Sequence, residues 1–379
     1  MFAGNILFLV VILFQVNGID GIARIFHNDP PARKPEEFII PAVSEERSEA
    51  MIPFVNVLTE RPLIFSVVPI RDTRTGEKAH DERILRNLDA RIKEFSDALN
   101  GKKRLNAVSV PELVEENHEG RPRYNSVYTR KLSSGIASSL DIDAIVNKVV
   151  VHLENYSELS GWIRETYSLG IRNMILVGGN TRHHRYPGPA VSEANVAARH
   201  VAEISGLDDL TIGNICLPER RNEARTMLYK TMTGARFFTT QMLFDSQRII
   251  ELLREYTSLC NEAGVAPATV MLSFAPLRSV SDLNLLDFLG VDLPTEAREY
   301  ILESGTPSEA PERSILNAVS IYSDVVDSLD GLDNAVPVGV NIEQLTKTNL
   351  PYSLKLLDRF QEIIDKKGSE LKEVLGKKL

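Results

Sequence analysis

The feature that most constrains the fold is a regular alternation of short apolar segments with helical segments along the chain. Eight apolar segments of strand length recur, separated by stretches with helical periodicity and by polar loops. Such alternation is typical of parallel sheets, and eight repeats predict a single-domain α/β fold, the (β/α)8 TIM barrel. No G-x-G-x-x-G motif follows any segment, which disfavours an open dinucleotide-binding sheet. The predicted strands are 62–69, 105–110, 146–153, 173–177, 211–216, 236–240, 269–275 and 335–340.

Composition limits the classes of function. Of 379 residues, 43% are hydrophobic and 25% are charged, which is ordinary for a globular protein. We predict that the barrel spans residues 51–366 and that a charged tail spans 367–379. A net charge of −9 argues against a nucleic-acid partner, which requires a basic face. Two cysteines make neither a disulfide framework nor a zinc site, which fits a reducing, cytoplasmic location.

Residues 1–50 form an extension unlike the rest of the chain. Residues 6–14 are an apolar run, too short for a comfortable transmembrane helix and without the basic residues that precede a signal sequence. Three interpretations remain open: an export signal, a membrane anchor, or a start site set too far upstream, with Met51 opening the domain. We favour the last, because nothing after Met51 is typical of an extracellular protein, and we do not expect a membrane partner.

Polar residues at the carboxyl ends of the predicted strands are the site candidates, because barrels carry their chemistry on that face. The set holds one histidine and scattered carboxylates without the spacing of a metal site, so we predict no metal. Neither a G-x-S-x-G motif nor a P-loop is present. The candidates are Ser66 with Arg71, Glu112, His152 with Glu154, 178–180, Glu219, Gln241, Arg278, and Asn341 with Glu343.

The turn of Gly178, Gly179 and Asn180 follows a buried predicted strand. Its glycines would let the backbone approach a flat or phosphorylated ligand closely, but a simple tight turn explains them equally well. In the next loop, Tyr186 and nearby arginines could stack on a ring or clamp phosphates. The alternative is a solvated loop made rigid by prolines.

The stretch GARFFTTQMLFD, from Gly234 to Asp245, combines a helix end, a strand and a helix start. Gly234 suits the left-handed position that ends a helix, and Asp245 is placed to cap the next one. Gln241 lies where the strand stops, so its side chain is expected at the functional face of a barrel.

This stretch resembles methylenetetrahydrofolate reductase, together with LPERRNEA before it and SFAPL after it. The same family is indicated upstream, where the segments HLEN and LGIRNMILVGGN occur in the family's order. The resemblance covers about residues 63–360. It implies a flavoprotein barrel that binds FAD and reduces methylenetetrahydrofolate with electrons from NAD(P)H, in the one-carbon metabolism that feeds methionine biosynthesis.

The resemblance also assigns roles to single residues. Gln241 matches a glutamine that contacts the substrate, and Lys230 matches a lysine that reaches the flavin phosphates. His152 matches a flavin-side histidine, and Gly179 matches the glycine before a carboxylate that tunes the flavin. An isolated helical lysine such as Lys230 is more often a solvated charge.

The sequence departs from the family at two positions of chemical importance. Ser66 stands where the family has its general acid, and Asn180 stands where it has the flavin-tuning carboxylate. A serine hydroxyl does not donate a proton at neutral pH as a tuned carboxyl does. Glu154 is the leading replacement, because it follows His152 by two residues and both would face one side of an extended segment. We therefore interpret the chain as a divergent branch.

The leading hypothesis is an oxidoreductase that converts methylenetetrahydrofolate, or a related pterin, to the methyl form with NAD(P)H. Gln241 would hold the pterin through its amide, Glu343 would contact the substrate, and Arg278 would pair with the acidic tail of a folate. The alternative is a barrel that binds a folate or pterin, or delivers it to a partner subunit, without redox chemistry. A homo-oligomer is compatible with either hypothesis.

Overall fold

The structure is a computed structural model that describes residues 52–71, 78–117, 119–179, 185–366, 368, 370 and 371. The proposed extension at 1–50 and most of the proposed tail lie outside these residues. The barrel strands are β1 (Leu63–Ser66), β2 (Leu105–Val110), β3 (Asp143–Val149), β4 (Asn173–Val177), β5 (Thr211–Cys216), β6 (Phe237–Met242), β7 (Thr269–Phe274) and β8 (Val338–Glu343). They form a closed parallel barrel in which β1 pairs with β2 on one side and with β8 on the other. The predicted (β/α)8 TIM barrel is confirmed.

Two strands differ from the predicted ones in their bounds. β3 spans 143–149 rather than 146–153, because the apolar run continues through a turn in which the Leu153 amide donates to the Val150 carbonyl at 3.1 Å. β8 spans 338–343 rather than 335–340, because Pro337 has no amide to donate to the sheet. His152 therefore lies beyond its strand, whereas Glu343 lies on its strand.

One long helix follows each barrel strand and packs against the outside of the barrel. The polar segment 111–130, which lacked a clear period, contains an antiparallel hairpin of Val114–Glu116 and Pro122–Tyr124. The loop after β7 carries the short helix Leu283–Leu289. The long helices are α1 (Lys78–Leu99), α2 (Thr129–Leu140), α3 (Tyr156–Ser168), α4 (Val191–Ser205), α5 (Glu223–Thr233), α6 (Gln247–Ala263), α7 (Ala310–Leu329) and α8 (Leu350–Ile363).

The helix ends around β6 follow the sequence prediction in part: Gly234 ends α5, whereas the N-cap residue of α6 is Ser246 and not Asp245. Gly234 ends α5 with a φ of 127°, a conformation that a side chain disfavours. The Asp245 carboxylate accepts the amide of Gln247, the first residue of α6, at 3.0 Å. These two helix ends flank β6, the strand that carries Gln241.

The barrel interior has its own apolar cluster, separate from the larger core between strands and helices. The short helix Phe54–Val57 closes the amino end of this interior. The Phe54 ring packs edge-on against Phe237 with centroids 5.4 Å apart, and its amide donates to Asp143 Oδ2 at 2.5 Å. The strand residues of the inner cluster include Ile64, Ala107, Ile145, Ile175, Phe237 and Met271.

In the part of the chain that the structure describes, no helix is both long and apolar enough to cross a membrane.

Cys216 and Cys260 are free and buried. Burial raises the pKa of the Cys216 thiol to about 12, so the thiol stays protonated and behaves as a core side chain.

Candidate functional site

A polar layer of inward-facing side chains lies above the inner apolar cluster, at the carboxyl ends of the strands. Side chains alternate between the two faces of a strand. On each strand, the residue two positions after its member of the inner cluster therefore also points inward. Gln241 and Glu343 lie two residues further on, on β6 and β8. We call this region the barrel mouth. Its inward layer comprises Ser66, Ser109, Asn147, Thr239, Ser273 and Asn341.

Four residues of the barrel mouth form one hydrogen-bond network across β1, β7 and β8. Ser66 and Glu343 are register partners on the paired strands β1 and β8. Ser66 Oγ donates to Asn341 Oδ1 at 2.8 Å. Asn341 Nδ2 donates to Ser273 Oγ at 2.9 Å and to Glu343 Oε1 at 3.0 Å. Because both ends of the Asn341 amide are engaged, the network holds the Glu343 carboxyl beside Ser66.

Burial raises the pKa of the Glu343 carboxyl from 4.5 to about 6, and a hydrogen bond with Ser273 opposes this shift only in part. The residue retains some accessible surface at the mouth. Glu343 is thus a carboxyl that gains and loses its proton closer to neutral pH than an ordinary glutamate does.

A cavity of about 810 Å³ opens at the carboxyl ends of β4, β5 and β6. Its volume lies within the range of about 300 to 1,000 Å³ that is usual for small-molecule and cofactor sites. Val177, Ile215 and Leu217 give the cavity an apolar side, and the hairpin after β2 and the start of α4 form its walls. Among the described residues, the charged ones that line it are Glu115, Glu116, Arg220, Lys230 and Asp287.

Gln241 lines this cavity, at the position predicted from the sequence. Its Nε2 donates to the carbonyls of Leu289 at 2.9 Å and Gly290 at 3.1 Å. Since both partners are acceptors, the amide nitrogen must face them, and a ligand in the cavity would meet the amide oxygen.

Lys230 also lines the cavity, but its charge is already balanced from within the protein. Its Nζ donates to the Ile215 carbonyl at 2.7 Å and lies 3.8 Å from Glu223 Oε1. The Glu223 side chain is fully buried and also accepts from Arg220 Nη1 at 3.4 Å. Burial lowers the pKa of Lys230, and the Glu223 carboxylate opposes that shift. The lysine is therefore part of a buried ion-pair cluster and not a solvated charge.

His152, Glu116 and Tyr186 form a second cluster on the cavity wall. His152 Nε2 lies 2.9 Å from Glu116 Oε1, and the Tyr186 hydroxyl donates to Glu116 Oε2 at 2.8 Å. The Tyr186 ring packs edge-on against His152, with centroids 5.3 Å apart. It also covers Gly179, where a Cβ atom would collide with the ring. The structure thus brings together three residues that sequence reasoning assigned to a cofactor: His152, Gly179 and Tyr186.

Other predicted site residues lie elsewhere. The prediction of an extended segment from His152 to Glu154 was wrong, because β3 ends at Val149 and a turn follows. Glu154 is exposed and is not among the described cavity residues. Arg278, also outside that cavity, donates from Nη2 to Asp282 at 3.0 Å and from Nη1 to Thr348 at 2.7 Å. Asn180 lies outside the described residues.

Sequence reasoning missed the two carboxylates that organise the cavity, Glu116 and Glu223. Glu116 lies in the polar segment 111–130, whose unusual length was the available signal. Glu223 lies in LPERRNEA, a motif used only for the family resemblance. In the described residues, no group of three or more His, Cys, Asp or Glu side chains is arranged to hold a metal ion.

The described residues do not fit a flavin dinucleotide held by its phosphates in the way the resemblance implies. Glu223 pairs with Lys230 and Arg220, and Glu116 contacts His152. At the start of α4, the Ala190 amide donates to Glu193 at 2.8 Å, which places a carboxylate of the protein beside this helix N-terminus. Among the described residues, an internal carboxylate therefore already balances the two cations that line the cavity, Lys230 and Arg220.

No model of a known protein family matches the chain, and no curated protein sequence does. An uncharacterized protein from Clostridium thermocellum that binds two copies of 5-methyl-5,6,7,8-tetrahydrofolic acid has a similar structure. Its TM-score is 0.60 at 16% sequence identity, over 81% of this chain and 99% of that chain. EDTA monooxygenase (EmoA) from Chelativorans sp. BNC1 gives a TM-score of 0.46 at 11% identity, over 83% of this chain and 98% of that one. At 16% identity, the likeness to the Clostridium thermocellum protein is one of fold.

Proposed function

We propose that this protein binds a reduced folate or a related pterin in the barrel mouth and its cavity, as a divergent relative of the methylenetetrahydrofolate reductases. The observation that carries the proposal is Gln241, which lines a cavity of cofactor size with its amide oxygen available. A pterin ring carries N–H donors along one edge, and an amide oxygen accepts such donors. The folate-binding protein from Clostridium thermocellum, which shares the fold, supports the same ligand class.

The charges of the cavity favour a ring with donors over a phosphate. Glu115 and Asp287 are carboxylates on the lining, whereas the two cations of its described part, Arg220 and Lys230, are engaged by Glu223. Carboxylates accept hydrogen bonds from ring N–H groups and repel phosphates. The binding function therefore has more support from the described residues than a flavin-dependent one.

Titration of the purified full-length chain with 5-methyltetrahydrofolate, followed by calorimetry, tests this function. We expect saturable binding that depends on the side-chain amide of Gln241. An oxidised pterin without the glutamate tail should compete, because the ring is the recognised part. If neither compound binds at any pH at which the protein is folded, the proposed function is wrong.

Reduction of methylenetetrahydrofolate with NAD(P)H is the second candidate function. The observation in its favour is the carboxyl of Glu343 beside Ser66, which supplies an ionisable proton donor in the barrel mouth. A visible spectrum of the purified protein and an assay of methylenetetrahydrofolate-dependent NADH or NADPH oxidation would decide between the two functions. Binding of the folate without either signal would leave the protein as a binding barrel.

A further inference from the structure

The Glu343 carboxyl occupies an unusual position for an acidic side chain. It points into the barrel from the last residue of β8, opposite Ser66, and the groups that face it are neutral. They are Asn341 on its own strand, Ser66 on β1 and Ser273 on β7, while Ser353 of α8 contacts its backbone carbonyl. Among the described residues, no charged side chain contributes to the pKa of this carboxyl.

Burying a carboxylate without a nearby cation costs free energy, because the charge loses its hydration. The neutral form of the carboxyl is therefore favoured unless a ligand or water donates hydrogen bonds to the charged form. Asn341 and Ser273 direct hydrogen-bond donors at the carboxyl, and the residue as a whole is only partly buried, beside the described cavity and not on its lining. In its neutral form the carboxyl adds an O–H donor to the mouth. The layer around it otherwise consists of hydroxyl and amide groups that are already bonded to one another.

We propose that Glu343 recognises the ligand of the barrel mouth through its neutral carboxyl, so that ligand binding is coupled to proton uptake by the protein. The ligand class is a heterocycle with a carbonyl oxygen or ring nitrogen that accepts this proton in a hydrogen bond. A reduced pterin presents such acceptors, and the inference therefore rests on the proposed function. Glu343 acts here as a specificity-determining residue, while Ser66, Asn341 and Ser273 position it.

The coupling has a defined pH dependence. Above the pKa of Glu343, each pH unit lowers the fraction of protein with a neutral Glu343 carboxyl about tenfold. The apparent affinity for the ligand therefore falls by about tenfold per pH unit. Below the pKa, the carboxyl is already neutral and the affinity becomes independent of this group. A carboxylate that instead accepted hydrogen bonds from the ligand would give the opposite slope, because proton loss would then strengthen binding.

Calorimetric titration of the full-length protein with 5-methyltetrahydrofolate, from below to above the pKa of Glu343, tests the proposal. Titrations in two buffers of different ionisation enthalpy report the number of protons taken up. We expect uptake at neutral pH by the wild type, and none by Glu343→Gln, whose amide donates at every pH. Glu343→Gln should also retain high affinity where the wild type has lost it. Glu262→Gln, on the exposed end of α6, is the matched control and should behave as wild type.

The outcomes separate this inference from the function on which it rests. No binding by wild type at any pH would contradict the proposed function. Binding with the same affinity and no proton uptake across the range would overturn only the role of Glu343. An affinity that rises with pH in wild type and not in Glu343→Gln would also overturn it, since the ligand would then prefer the charged carboxylate.

Discussion

The ring of Tyr186 fills the space that a side chain at Gly179 would occupy. The backbone of Gly179 lacks the positive φ that would itself require glycine, so the collision alone excludes a side chain there. We predict that Gly179→Ala displaces Tyr186, weakens its hydrogen bond to Glu116 and lowers the free energy of unfolding by about 1 to 3 kcal/mol. Chemical denaturation measures this change.

Gly178→Ala is the control for that prediction. A Cβ at Gly178 would meet only Val191 Cγ2 at 3.4 Å, an ordinary contact. We expect a change of less than about 1 kcal/mol in this variant. Equal effects of the two alanines would show that Tyr186 readily leaves its position beside Gly179.

Glu223 has a larger predicted role in stability than its neighbour Glu219. Glu223→Gln would leave Lys230 and Arg220 without their buried counter-charge, and we expect a loss of about 3 to 5 kcal/mol. Glu219→Gln removes only an exposed pair with Arg248 and should cost less than about 1 kcal/mol. Urea denaturation of the two variants makes the comparison, and similar losses would contradict the buried ion-pair cluster.

The raised pKa of Glu343 predicts a stability that falls with rising pH. In the pH range between the unfolded value of 4.5 and the folded value of about 6, the folded state binds more protons than the unfolded state. The neutral carboxyl therefore makes its full contribution to the free energy of unfolding below pH 4.5, and this contribution is lost as the pH rises through about 6. Glu343→Gln should be more stable than wild type above this range by up to about 2 kcal/mol.

Thermal or urea unfolding at several pH values measures this difference. The stability curves of wild type and Glu343→Gln should converge below the lower pKa, where both side chains are neutral. A constant offset between the curves would attribute the difference to packing and not to ionisation.

Gln241→Ala tests the central contact of the proposed site. Loss of one hydrogen bond to the ligand should weaken the binding of 5-methyltetrahydrofolate by about tenfold, measured by calorimetry. Gln247→Ala is a suitable control, because Gln247 is exposed at the start of α6. Unchanged affinity in a folded Gln241→Ala variant would remove Gln241 from the site.

The barrel was predictable from the sequence because its signal is local. Each strand is an apolar run of a few residues, and the helices show a periodic apolar face. The strand ends were harder to predict, as β3 and β8 show, because pairing stops where a turn forms or a proline interrupts it, not where apolar residues stop. That shift placed Glu343 on its strand and moved Glu154 out of the predicted site.

The site itself was predictable only in part, because its contacts join distant segments. Gln241 could be located from a local strand end, and it lines the cavity. The Tyr186–Glu116 hydrogen bond, in contrast, spans 70 positions in the sequence, and the His152–Glu116 contact spans 36. No periodicity or motif marks such pairs, so the cluster of His152, Glu116 and Tyr186 emerges only from the three-dimensional arrangement.

The short helix at Phe54 closes the end of the barrel interior that lies opposite the barrel mouth. Its ring covers Phe237, and its amide is fixed by Asp143 at the far end from the cavity. Under the proposed function, the proton that Glu343 takes up would enter from the barrel mouth, on the same side as the ligand, because the apolar cluster fills the described barrel interior below it. Bound ligand would thus isolate the inner polar layer from bulk solvent, and proton exchange at Glu343 would then follow the rate of ligand release.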